Sequence, residues 1–133
     1  MPEIDSELEL ALNYLDHNKD ESLKRLFDIL KIPSISTQEK YSKDCLNAAN
    51  WFVEQLQDIG FDASIRETNG HPMVVAHFEQ EGPHFLFYGH YDVQPIDPIE
   101  LWNHDPFEPK IENSHNGEII KARGASDDKG QVM

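Results

Sequence analysis

Two short stretches concentrate the residues able to do chemistry: Phe87-Tyr88-Gly89-His90-Tyr91-Asp92-Val93 and Arg123-Gly124-Ala125-Ser126-Asp127-Asp128-Lys129-Gly130. In the first, an imidazole and a carboxylate stand two residues apart, and in an extended chain such side chains point the same way. His90 and Asp92 then read as a metal ligand with its partner, because a carboxylate on the second ring nitrogen fixes the tautomer and raises basicity. By itself the pair reads first as a His and an Asp that satisfy each other at a strand end, since HxD is a short pattern that occurs by chance. In the second stretch, adjacent carboxylates between glycines form an acidic loop, where like charges call for a cation. A divalent metal meets that need, and so does Lys129 paired to one carboxylate in a solvated turn. The loop has neither the GxxxxGK[ST] order that cradles phosphate nor the DxDxDG grammar of a calcium loop.

Positioning these residues requires a scaffold, and the hydrophobic periodicity supplies one. Ile4, Leu8, Ala11, Leu12 and Leu15 recur at helical spacing, as do Leu23, Leu26, Phe27 and Leu30 after the polar break His17-Asn18-Lys19-Asp20. Pro33 ends the second helix. A third starts near Tyr41, with Cys45, Ala48, Ala49, Phe52 and Leu56 on one face and Gly60 at its close. From Phe61 the period becomes two, and Asn69-Gly70 separates Phe61–Ile65 from the run Met73–Phe78, which predicts an antiparallel hairpin. The continuous apolar run His84–Tyr88 predicts a central strand buried on both faces, with His90 and Asp92 at its end, where open α/β sheets place ligands. A Pro-rich loop follows (Pro95, Pro98, Pro106, Pro109), then a hairpin around Asn116-Gly117. The predicted class is α/β, a layered mixed sheet with flanking helices.

Composition narrows the function. At 133 residues with 38% hydrophobic content the chain suits one domain or part of one, and it is too apolar for a disordered tail. Eleven Lys and Arg against 25 Asp and Glu leave a net charge of −14, the wrong sign for a nucleic-acid partner. The single cysteine, Cys45, excludes an internal disulfide and a CxxC zinc site. The acidic start MPEIDSELEL is unlike a secretory signal, and no segment reaches membrane-spanning length, so the expectation is a soluble, cytoplasmic chain without a membrane partner.

Taken with the intervening Leu101-Trp102-Asn103-His104-Asp105-Pro106-Phe107-Glu108-Pro109, the order GHYDVQP, then W and DPF with a further Pro, then RGASDDKG closely resembles the M20 metallopeptidases. The resemblance is to their dipeptidase branch, with carnosinase-like enzymes among its members, and it extends back to Leu30–Ser36, LKIPSIS. It implies that His90 is the ligand of one metal ion and that Asp92 serves catalysis by orienting it. It also implies that Asp127 bridges two divalent ions, zinc first and cobalt or manganese as alternatives, and that the Asp127-Asp128 peptide is cis. A bridging carboxylate fits because each oxygen can face one cation, whereas an imidazole serves one ion. Two such ions lower the pKa of bound water and polarise an amide carbonyl, so amide hydrolysis of small peptides is the implied reaction. Asp128 and Lys129 lie in the motif without a ligand role; Lys129 reads as neutralising local charge or capping structure. The histidines His71, His77, His84, His104 and His115 read as structural, Trp51 as helix packing, and Trp102 and Phe107 as anchors of the long loop.

Family members are expected to carry further parts: a Glu-Glu pair with the general base, another acidic ligand, a distant His ligand, and a lid or dimerisation domain. Because Met133 follows directly on the bridging motif, residues 1–133 read as a partial catalytic domain, the N-terminal portion of a homodimeric parent. Such a fragment would be inactive and weakly metal-binding in isolation. A truncated non-catalytic module is the alternative outside the enzyme class; an aminoacylase or deacylase is the alternative within it.

Overall fold

The computed structural model describes residues 3–133, with side chains from Ser6 onward. Three long helices lead: α1 (Glu3–His17), α2 (Lys19–Leu30) and α3 (Ser42–Asp58), the last preceded by a 3-10 turn at Glu39–Tyr41. The predicted polar break between the first two helices shrinks to Asn18, whose amide donates to the Tyr14 carbonyl at 2.8 Å. Ile4 belongs to α1, but its side chain lies outside the described set. The third helix buries Cys45, Ala48, Ala49 and Phe52, the stripe its periodicity predicts.

The core forms where α3 meets α2. Ile29, Ala48 and Phe52 make its centre, with Leu26, Ile32, Trp51, Val74, Tyr91 and Val132 packed around them. Trp51 meets Phe52 edge-on at 5.1 Å between ring centroids, as expected of a packing residue. The outer apolar positions of α1 have no comparable cover: Leu8, Leu12 and Leu15 are all exposed.

The strands form two separate antiparallel pairs. β1 (Asp62–Arg66) pairs with β2 (Met73–His77), and β3 (Lys110–Ser114) with β4 (Gly117–Lys121). In the first pair Asn69-Gly70 lies within a longer connection, pinned where Thr68 Oγ1 receives the Gly70 N–H at 3.0 Å and donates to the His71 carbonyl at 2.7 Å. In the second the turn is tight, with Ser114 opposite Gly117. Among the described residues the parallel component is a single bridge, Ile35 to Val93.

One expectation fails. Residues 84–88 form no regular secondary structure and enter no ladder, and Phe85, Leu86, Phe87 and Tyr88 are 86%, 94%, 72% and 83% exposed. An apolar run becomes a buried central strand only where neighbouring strands take its N–H and C=O groups and cover both faces; among the described residues none does. The long loop is anchored as predicted at Trp102, whose Nε1–H donates to the Ile96 carbonyl at 3.1 Å and whose ring lies 5.2 Å from the Arg123 guanidinium. Pro106 beside it is fully buried. Among the described residues no helix is long and apolar enough to cross a membrane.

Candidate metal centre

Three backbone segments build the site. The first is 90–93, leaving the exposed run. Its alignment comes from the second, 34–36: the Val93 N–H donates to the Ser34 carbonyl at 2.9 Å, and the buried Ser34 hydroxyl donates to the Tyr91 carbonyl at 2.6 Å. Tyr91 turns inward, away from its two neighbours, and its hydroxyl donates to the Pro72 carbonyl. Burial, with Cys45 and Asp92 adding to it, pushes the Tyr91 phenol up to about 12. His90 and Asp92 thereby share the opposite side, as the two-residue period requires.

The third segment is the acidic loop, which runs into α4 (Lys129–Val132). It is held from below by Lys129, which is fully buried and donates from Nζ to the carbonyls of Ile29 at 3.0 Å and Ile32 at 2.7 Å. These carbonyls lie at the C-terminal end of α2, where the helix dipole favours a cation. Burial lowers the Lys129 pKa to about 8, against smaller opposing contributions from Cys45, Asp92 and Asp44. Lys129 therefore caps structure, one of the two roles its sequence context suggested. The Asp127-Asp128 peptide is cis, as the resemblance implies.

These segments bring His90 and Asp127, 37 residues apart, into contact: His90 Nε2 lies 3.1 Å from Asp127 Oδ1. On the other side of the ring, His90 Nδ1 lies 3.0 Å from Asp92 Oδ1 and 3.2 Å from the Asp92 carbonyl oxygen. Asp128 joins them, accepting the His90 backbone N–H on Oδ2 at 3.0 Å. Gly89 makes room for this approach: a Cβ there would meet Val132 Cγ2 at 2.5 Å and Asp128 Oδ2 at 3.3 Å. Burial pulls the His90 pKa down, but the Asp92 carbonyl, the Asp92 and Asp128 carboxylates and the Asp92 side-chain hydrogen bond together raise it above 6.5.

The donor set fits a divalent cation. A neutral imidazole that gives its Nδ1 proton to Asp92 turns the Nε2 lone pair toward the Asp127 oxygen, and two lone pairs face each other without attraction. Either a second proton or a cation resolves that conflict. His90, Asp127 and Asp128 offer one ligand atom each, all within 4.8 Å of one another. Nitrogen and oxygen donors of this kind suit zinc, and also cobalt or manganese. Sequence reasoning left Asp128 without a role; the paired carboxylates were its only signal, and its contact with the His90 amide depends on the fold. Of the remaining histidines, His71 faces the Ser36 carbonyl and His104 the Lys121 carbonyl.

Three comparisons bear on this site. Residues 86–133, which contain all its acidic and imidazole groups, match the profile of Peptidase family M20/M25/M40. This match agrees with the resemblance to the M20 metallopeptidases read from the sequence motifs. Among curated relatives, the Cys-Gly metallodipeptidase DUG1 of Candida albicans is 29% identical, covering 95% of this chain and 29% of that protein. A succinyl-diaminopimelate desuccinylase of Alkalilimnicola ehrlichii is 38% identical over 60% of this chain and 20% of its own length. Among solved structures, human carnosine dipeptidase 1 superposes with a TM-score of 0.77 at 25% identity, covering 94% of this chain and 28% of that one. The chain therefore spans less than a third of the relatives it matches.

Proposed function

We propose that this chain is the N-terminal portion of the catalytic domain of a metal-dependent dipeptidase, hydrolysing the amide bond of dipeptides or similar small peptides. One observation carries the reading: an imidazole and a carboxylate from distant segments meet at 3.1 Å inside the segment that matches the M20 profile. In this reading His90, Asp127 and Asp128 would hold divalent metal, zinc first, with Asp127 the candidate to serve a second ion. When bound, such ions supply Lewis acidity toward an amide carbonyl and lower the pKa of a water molecule. The chain's own contribution is placement. Asp92 accepts the Nδ1 proton of His90 and so presents Nε2 to the cation. Asp128 fixes the His90 backbone, and Lys129 fixes the loop that carries both acids.

The lone Cys45 supports a reducing, cytoplasmic setting, and similarity to the dipeptidases supports a homodimeric parent. A deacylase of the same family is the second reading, favoured by the similarity to the desuccinylase. The test is hydrolysis by the protein expressed from its complete coding sequence, with zinc, cobalt or manganese, of a dipeptide panel against N-acyl amino acids. Dipeptide turnover that disappears in both His90→Ala and Asp127→Ala, with loss of bound metal, supports the first reading. Turnover of N-acyl amino acids alone supports the second; full activity in Asp127→Ala contradicts both.

A further inference from the structure

We propose that Ser36 is a positioning residue for His90, acting through Asp92. The inference rests on the reading of His90 as a metal ligand, and it extends that reading to a residue 56 positions before Asp92. The Ser36 hydroxyl donates to Asp92 Oδ2 at 2.5 Å, while Oδ1 of the same carboxylate faces His90 Nδ1 at 3.0 Å. Each oxygen thus has its own partner, and the carboxylate plane is held at two points. Remove one point and the group is free to turn about its Cβ–Cγ bond, a broad, roughly two-fold torsion in which rotamer preference offers little resistance. With the side chain of Asp92 41% exposed, water would then compete for both oxygens.

Ser36 is itself built into place. Its carbonyl oxygen lies 2.8 Å from His71 Nε2, and the preceding Ile35 is fully buried and bridges to Val93. Ser34 and Ser36, on either side of the bridging Ile35, both donate into the facing segment, to the Tyr91 carbonyl and the Asp92 carboxylate respectively. The first is a buried backbone clasp. The second ends on the carboxylate that faces His90 Nδ1, so its consequence reaches the ring: a pinned Oδ1 keeps the proton on Nδ1 and the lone pair on Nε2.

The experiment uses the protein from its complete coding sequence and reads two quantities in wild type, Ser36→Ala, Ser36→Thr, Asp92→Ala and Ser36→Ala/Asp92→Ala. Zinc affinity is measured by chelator competition, and the His90 tautomer in metal-free protein by the 15N shifts of its ring. Ser36→Ala is expected to weaken zinc about tenfold and to mix the two tautomers, the range usual for loss of a ligand's orienting partner. Ser36→Thr, which keeps the hydroxyl, is expected to restore both. In Asp92→Ala, which removes the group that Ser36 holds, the additional Ser36→Ala change is expected to have no further effect. Unchanged tautomer and affinity in Ser36→Ala would overturn the proposal, as would full additivity in the double variant. If wild type takes up no zinc, the metal-ligand reading fails, while the tautomer measurement still decides whether Ser36 orients the ring.

Discussion

The segment with the strongest hydrophobic signal and the one with the strongest polar signal exchange the places that hydropathy assigns them. Phe85 to Tyr88 form an unbroken apolar run, yet all four side chains are more than 70% exposed. Arg123 to Gly130 is charged and glycine-rich, yet it delivers Lys129, the largest fully buried side chain in the structure. Burial follows the partners that are present, not the apolar character of the segment alone. The apolar run lacks strands on either side, whereas the ammonium of Lys129 finds two carbonyls at the end of α2. The site belongs to the second kind of order, held by long-range hydrogen bonds more than by apolar packing.

That contrast can be sharpened by substitution. Lys129→Ala is expected to have the largest effect, about 2 to 5 kcal/mol of lost stability by denaturant titration, since it deletes a fully buried side chain. Lys129→Met keeps most of the stem and isolates the charge. With a folded pKa near 8 and an ordinary value of 10.5, the unfolded chain holds this proton longer as pH rises. Lys129 therefore adds stability between those pH values and nothing further above them, so wild type should gain on Lys129→Met across that window. A difference that stays flat would mean that the ammonium is solvated and the buried placement is wrong.

Asp92→Asn comes next, with about ten- to hundredfold weaker metal binding, measured by chelator competition, and little change in stability. At the other extreme, Leu86→Ser should shift stability by no more than about 0.5 kcal/mol, as for exposed positions elsewhere, while reducing self-association in sedimentation experiments. A loss of several kcal/mol there would show that the run is buried in solution and would erase the comparison.

Much of the architecture is local, and that part is legible in the sequence. The stripe Cys45, Ala48, Ala49, Phe52 and the two hairpins follow from periods of 3.6 and 2 with their turn residues. So does the shared orientation of His90 and Asp92. What escapes the sequence depends on contacts between distant segments. Residues 84–88 read as buried because periodicity carries no information on whether neighbours exist. Asp128 read as idle because its partner, the His90 amide, is 38 residues away. Ser36 looks like any loop serine until the parallel bridge sets it against Asp92.

The convergence of positions 90 and 127 is best tested by titrating zinc into 15N-His-labelled protein and following each ring nitrogen. Coordination should move His90 Nε2 while Nδ1 stays protonated, and the effect should vanish in Asp127→Asn. Zinc that shifts other histidines and leaves His90 untouched would contradict the account.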